Sequence, residues 1–274
     1  MIFEIVKSIA FGIIEGITEW LPISSTGHMI LLEHFLKLNV SKSFWSVYLV
    51  VIQLGAILAV CTVYFKKLNF LLYRNEKNKF KDSINLWKKI IVGCIPAAVL
   101  GFLLDDYLDK HFFNFPTVAI MLILYGILFI IVENSFANKE KSCTNINNMS
   151  YKLALYIGLF QVLALIPGTS RSGATILGAL VLGTSRSVAA EFTFYLAIPV
   201  MFGASLLKIV KYGFAFSSTE AILLAAGMIT AYIVSIIIIK FLISYIKKHD
   251  FKPFGWYRIV LGLILIIYYL LAIR

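Results

Sequence analysis

Apolar residues run along this chain in long blocks. Stretches near residues 45–65, 90–104, 116–132, 190–210, 220–240 and 256–273 hold few charges. They approach or fill the roughly 17–25 residues a helix needs to cross a bilayer's hydrocarbon core. They predict six transmembrane helices, of which the second is short and needs extension or tilt. Residues 1–44 and 151–189 are apolar too, but each is broken in its middle by proline, glycine and hydroxyl residues. By the parity of the spans, each is predicted to be a re-entrant helical hairpin that enters and leaves on one face.

Composition agrees with that pattern. Of 274 residues, 60% are hydrophobic and 14% charged, with a mean hydropathy of +0.89. Soluble domains carry about 45–50% apolar and about 25% charged residues. The chain is therefore read as one transmembrane domain over residues 1–274, with no separate soluble domain. Glu4, Lys7, Glu15 and Glu19 interrupt the first apolar stretch, which lacks a small-residue cleavage site and is not read as a removable signal peptide. Cys61, Cys94 and Cys143 lie far apart without metal-ligand spacing, so packing roles are expected of them.

The net charge of +11 does not indicate nucleic acid, because the positive residues sit in loops between spans. Lys66, Lys67, Arg74, Lys77, Lys79, Lys81, Lys88 and Lys89 face only Glu76 and Asp82 in one connection, which the positive-inside rule places in the cytoplasm. The next connection, residues 105–115, carries Asp105, Asp106 and Asp109 against Lys110 and reads as external. Lys139, Lys141 and Lys152 return the chain to the cytoplasm, Lys208 and Lys211 mark an outer loop, and Lys240, Lys247, Lys248 and Lys252 an inner one. Both termini are then outside.

The two halves resemble each other. At an offset of 146, Gly12 pairs with Gly158, Glu15 with Gln161, Ser24 with Ser170, Thr26 with Ser172 and Gly27 with Gly173. At 148, Phe44 pairs with Phe192, Gly55 with Gly203 and Ala56 with Ala204. The expected fold is an all-α polytopic membrane protein with an inverted-topology repeat, approximately residues 1–135 and 150–274. Each half is a hairpin followed by three spans, and three being odd turns the second half over. Such repeats place their sites near the midplane, where broken helices meet.

In the first hairpin, Glu15 and Glu19 share a helix face. Carboxylates at that depth are costly unless something cationic or wet faces them. They suggest a divalent-cation site, a proton relay, or both, with a pair bonded to backbone as the plain alternative. Pro22 ends that helix, and Ser24, Ser25 and Thr26 resemble the cap of the next. A helix start offers free N–H groups to an anion. His28 falls about one turn on, within reach of Ser24 or Ser25, and a hydroxyl beside an imidazole is the smallest unit of nucleophilic catalysis.

The second hairpin repeats the plan as Pro167, Gly168, Thr169, Ser170, Arg171, Ser172, Gly173 and Thr175, with an arginine where the first has Ser25. The planar fork of Arg171 suits phosphate oxygens; an internal salt bridge to Glu15 or Glu19 is the alternative, and can hold in the empty state. Thr184 to Ser187 reads as a plain helix cap with an interfacial arginine.

These residues carry a resemblance. The run from Glu15 to His28, residues 52–60, residues 167–175 and residues 190–199 are similar to the integral-membrane undecaprenyl-diphosphatases, the bacitracin-resistance family, over essentially the whole chain. The resemblance implies hydrolysis of a C55 isoprenoid diphosphate, undecaprenyl diphosphate, to the monophosphate and inorganic phosphate, which recycles the lipid carrier of bacterial cell-wall polymers. It also implies a divalent cation, Mg2+ or Ca2+, held by Glu15 and Glu19, and a site in the cytoplasmic membrane that faces outward. Bacitracin then competes only indirectly, by binding the substrate. A homodimer stays open.

On that footing Ser25 attacks the terminal phosphoryl group, His28 or Glu19 handles protons, and Arg171 stabilises charge. Ser24, Thr26, Gly168, Ser170, Ser172 and Thr175 bind phosphate. Direct attack by water is the competing route. A secondary transporter or lipid-phosphate flippase is the rival class, because paired broken helices are transporter architecture.

Overall fold

A computed structural model describes residues 1–112, 114–136, 139–213 and 216–273. Among the described residues the regular structure is helical, with no β-strand. The first half comprises α1 (Ile2–Thr18), α2 (Ser25–Phe35), α3 (Lys42–Val63), the short α4 (Phe65–Leu68), α5 (Lys77–Phe112) and α6 (Phe115–Phe136). The second comprises α7 (Tyr151–Val162), α8 (Arg171–Val181), α9 (Arg186–Tyr212), α10 (Ser218–Tyr245) and α11 (Lys252–Tyr268). Six of these, α3, α5, α6, α9, α10 and the stretch from Lys252 to Leu271, are long and apolar enough to cross a membrane. They coincide with the six predicted spans.

The second span differs in length. At 36 residues, α5 runs about 50 Å, well past a hydrocarbon core of about 30 Å. Pro96 lies inside it, and the helix continues past that proline to Phe112. The lysine-rich stretch is therefore helical from Lys77, and the segment predicted as an external loop continues the helix to Phe112. The side chains of Asp105, Asp106 and Asp109, and residue Phe113, lie outside the described residues.

Packing pairs α1 with α10, α7 with α5, α3 with both α9 and α10, α9 with α5, and α6 with α11. Exchanging α1 with α7, α3 with α9, α5 with α10 and α6 with α11 maps these pairs onto one another. The closest approaches use glycine. A Cβ on Gly12 would lie 2.5 Å from the Gly227 carbonyl oxygen, and one on Gly158 would lie 2.1 Å from that of Gly93. Small residues let helix backbones touch where lipid supplies no hydrophobic drive for association. Ile229, Ile233 and Ile237 form an exposed stripe along α10, the side suited to lipid.

The halves differ in one respect that matters. In the second, α8 packs directly against α9. In the first, α2 and α3 line the two sides of a cavity of about 780 Å³.

Candidate active site

Each hairpin breaks where its proline motif stands. Beyond α1, residues 19–23 turn through Pro22, and α2 begins at Ser25 with Ser24 as its cap. Beyond α7, a 3-10 turn (Leu163–Leu165) leads through Pro167 to α8, capped by Ser170. Both caps are left-handed, with φ of 73° at Ser24 and 72° at Ser170. Such a conformation costs a non-glycine residue on the order of 1–3 kcal/mol. Each cap hydroxyl accepts from the backbone N–H three residues on, Gly27 at 3.4 Å and Gly173 at 3.1 Å. The alignment at 146 residues thus matches two copies of one strained turn.

The two turns meet at Glu19. Ser25 Oγ donates to Glu19 Oε2 at 2.8 Å, and Arg171 Nη2 donates to Glu19 Oε1 at 3.0 Å. The salt bridge weighed as an alternative for Arg171 is therefore present. Arg171 Nη1 also donates to the Thr193 carbonyl at 2.7 Å, and the guanidinium lies 5.7 Å from the Trp20 ring centroid. Glu19 is 7% exposed, so its charge is held by these bonds rather than by water. Ser172 Oγ donates to the Glu19 carbonyl at 3.1 Å and shares a hydrogen bond with Ser170 Oγ. Thr193 Oγ1 donates to Thr175 Oγ1, which donates in turn to the Arg171 carbonyl at 2.9 Å.

His28 is placed differently. Its Nδ1 meets the main-chain carbonyl of Ser24 at 2.7 Å, and its Nε2 meets the Tyr257 hydroxyl at 2.8 Å. The ring stacks on Tyr257 with centroids 5.6 Å apart. Both ring nitrogens are engaged, and the hydroxyl of Ser25 turns to Glu19 instead.

Glu15, Ser25 and Thr26 line the cavity, whose walls include Met29, Leu38, Trp45 and Leu49, with Glu33, Lys37, Lys42 and Lys208 also along it. Arg171 and Glu19 are not among the lining residues; Ser25 links them to that space. Glu15 is 1% exposed, and neither carboxylate oxygen has a hydrogen-bond partner among the described residues. Among the described residues no group of three or more His, Cys, Asp or Glu comes together to hold a metal. Mg2+ is commonly held by one or two carboxylates with substrate phosphates and water completing its shell. The unpartnered carboxylate of Glu15, with Ser25 and Thr26 beside the same cavity, fits that kind of site.

Sequence reasoning passed over Tyr257, Gln53 and Arg258. Gln53 lines the cavity from α3. Arg258 is fully buried and bonded to backbone from both hairpins. An arginine inside the apolar run 256–273 was the available signal, the same one that marked Arg171. The cap predicted near Thr184 is present: Ser185 Oγ accepts from Val188 N, and Arg186 pairs with Glu133 at 2.6 Å.

Known proteins are similar to this chain along nearly its whole length. An undecaprenyl-diphosphatase of Enterococcus faecalis is 60% identical over 97% of this chain and 98% of its own length. One from Acetivibrio thermocellus is 58% identical over 99% of both, and one from Lachnoclostridium phytofermentans is 59% identical over 98% of both. The family model described as bacitracin resistance protein BacA matches residues 8–264, which include both proline breaks and at least part of every span, and the chain belongs to that family.

Proposed function

We propose that this chain hydrolyses undecaprenyl diphosphate to undecaprenyl phosphate and inorganic phosphate in the bacterial cytoplasmic membrane, at a site open to the outer face. The observation that carries the reading is the chain of bonds from Ser25 through Glu19 to Arg171, built from both hairpins at the edge of one cavity. A nucleophile whose hydroxyl already rests on a carboxylate, with a guanidinium beside it, is equipped for phosphoryl transfer, which is mainly positioning and charge stabilisation. The apolar walls between α2 and α3 suit the isoprenoid, and the polar end at Glu15, Ser25 and Thr26 suits the diphosphate.

In the first step Ser25 Oγ bonds to the terminal phosphorus and its proton passes to Glu19. The bond from phosphorus to the bridging oxygen breaks, and undecaprenyl phosphate leaves with that proton on its oxygen, which returns Glu19 to the carboxylate. Water then attacks the phosphoserine and gives a proton to Glu19, the bond from phosphorus to the Ser25 oxygen breaks, Glu19 passes that proton to the serine oxygen, and inorganic phosphate departs. Arg171 turns from Glu19 toward phosphate oxygens, and the N–H groups at the starts of α2 and α8 face the same charge. Ser24 and Ser170 hold those starts in place, and Thr26 faces the phosphate from the cavity wall; Ser172 and Thr175, bonded to the Glu19 and Arg171 backbone, and Gly168 in the second turn support the phosphate site from behind. His28, tied to Ser24 and Tyr257, steadies α2. Glu15, whose carboxylate lines the cavity, and Glu19 beside Ser25 would hold a divalent cation, Mg2+ or Ca2+. When bound, that cation offsets phosphate charge.

The two hairpins and their spans are read as inverted copies, supported by the matched turns and the exchangeable packing pairs. Bacitracin acts by withdrawing the substrate. A homodimer is compatible with this scheme, since every group named comes from one chain. Transport is not favoured, because chemistry explains the nucleophile and its base while transport needs neither.

The test is trapping. Purified protein in detergent, mixed with substrate radiolabelled in the terminal phosphate and quenched with acid, is expected to carry label on Ser25. Full burst activity in Ser25→Ala would sink the covalent route.

A further inference from the structure

We propose that Arg258 is a positioning residue for this reaction, a clamp that sets the two broken turns against each other so that Ser25 and Arg171 converge on Glu19. The assignment rests on the reading of the site given above. Arg258 sits on α11 with no exposure, and its neighbours are carbonyls. Nη1 donates to Pro22 O at 3.1 Å, and Nη2 donates to Gly168 O and Thr169 O, both at 2.9 Å. Longer bonds from Nη2 to Met121 O and from Nε to Leu122 O, at 3.3 and 3.4 Å, anchor the same group to α6. The guanidinium carbon lies 5.4 Å from the Tyr125 ring centroid. Among the described residues no carboxylate pairs with it.

A buried charge without a counter-charge is costly, and an apolar residue of similar volume would fill the space at lower cost. What an apolar residue cannot do is satisfy the carbonyls that two helix breaks leave open inside the membrane. Those carbonyls belong to the turns that carry the chemistry. Pro22 precedes the Ser24 cap by two residues, and Thr169 directly precedes the Ser170 cap. One planar, rigid fork spans both turns, whereas a lysine ammonium presents its donors tetrahedrally from a flexible stem. Gly173, at the start of α8, leaves room for the fork: a Cβ there would lie 3.1 Å from Arg258 Nη1. A displacement near 1 Å between reacting groups costs about 100-fold in rate, so the clamp acts on turnover.

The experiment compares full-length Arg258→Lys and Arg258→Met with Leu265→Ala, a buried apolar truncation further along α11. Each is purified in detergent, and its thermal midpoint and its kcat and KM for an isoprenyl diphosphate are measured. Arg258→Lys is expected to lose about 10- to 100-fold in kcat with KM changed less than about threefold. Leu265→Ala is expected to lose thermal stability while kcat per folded enzyme stays within about twofold. Added to Arg171→Ala, the lysine change is expected to cost less than about threefold more, since the group it positions is gone. Should neither Arg258 variant fold, Gly173→Ala is expected to lower kcat about fivefold at unchanged KM, by pressing on the fork. Wild-type kcat in Arg258→Lys or in Gly173→Ala, or a loss fully multiplicative with Arg171→Ala, overturns the assignment. Wild-type kcat in Arg171→Ala overturns the site reading itself, and this assignment with it.

Discussion

Glu19 and Arg171 stand 152 residues apart in the chain, yet Arg171 Nη2 donates to Glu19 Oε1 at 3.0 Å. Each hairpin thus supplies one partner of a buried ion pair, 11% and 8% exposed at its side chains. Removing one partner of such a pair leaves an uncompensated charge. Arg171→Ala is expected to lower kcat about 1,000-fold and to lower the thermal midpoint in detergent. Adding Glu19→Gln to it should recover part of the midpoint and none of the activity; phosphate release and a melting curve on the same preparations check both.

The bond from Ser25 to Glu19 makes a narrower claim. Glu19→Gln keeps the shape of the side chain and removes the base, so kcat is expected to fall by about 100- to 10,000-fold. His28→Ala leaves that bond untouched, and a loss below about 30-fold is expected of it by the same scale. Steady-state kinetics of the two variants, side by side, decide which residue takes the proton; a larger loss in the histidine variant would reverse the assignment.

Glu15 lines the cavity, and its two buried oxygens have no hydrogen-bond partner among the described residues. Chelation is expected to stop phosphate release, and Mg2+ or Ca2+ to restore it. Glu15→Gln should raise the cation concentration for half-maximal rate about 10- to 100-fold, on the scale of a weakened metal site. The midpoint of a cation titration gives the answer, and one unchanged by the substitution would remove Glu15 from the cation site.

Helix contacts built on glycine are open to a direct comparison. A Cβ at Gly158 meets the Gly93 carbonyl oxygen at 2.1 Å, whereas one at Gly203 meets nothing within 4 Å. Gly158→Val is expected to cost about 1–3 kcal/mol or more by forcing α7 from α5. Gly203→Ala should stay within about 0.5 kcal/mol of wild type. Unfolding in mixed micelles measures both.

The side of the membrane is a separate matter. Lys208 lines the cavity, and Lys79 sits exposed at the start of α5. In a background without the native cysteines, Lys208→Cys is expected to react with an impermeant maleimide added to intact cells, and Lys79→Cys only after permeabilisation. Labelling in the reverse pattern would turn the topology over.

Much of this protein is decided by local chemistry and can be read along the chain. A bilayer demands apolar runs of set length, so the six spans stand out. Pro22 and Pro167 mark the breaks because proline removes a backbone donor wherever it stands, and Ser24 and Ser170 cap because a hydroxyl can reach the N–H three residues on. The true length of α5 is less visible, since helix continues past the apolar window into charged residues that hydropathy reads as loop.

Other features exist only once the helices pack. His28 lies a turn from Ser25 by spacing, but the hydroxyl of Ser25 rotates to Glu19, and Tyr257, 229 residues away, occupies the imidazole. Arg258 looks like one charge in an apolar run until Pro22, Gly168 and Thr169 arrive around it. Near-matching halves of sequence likewise do not say that α8 closes on α9 while α2 stands off α3. Spacing along a helix sets which residues share a face, whereas the partner that face meets depends on side-chain volumes and backbone approach summed over the whole bundle. That sum is made only in three dimensions.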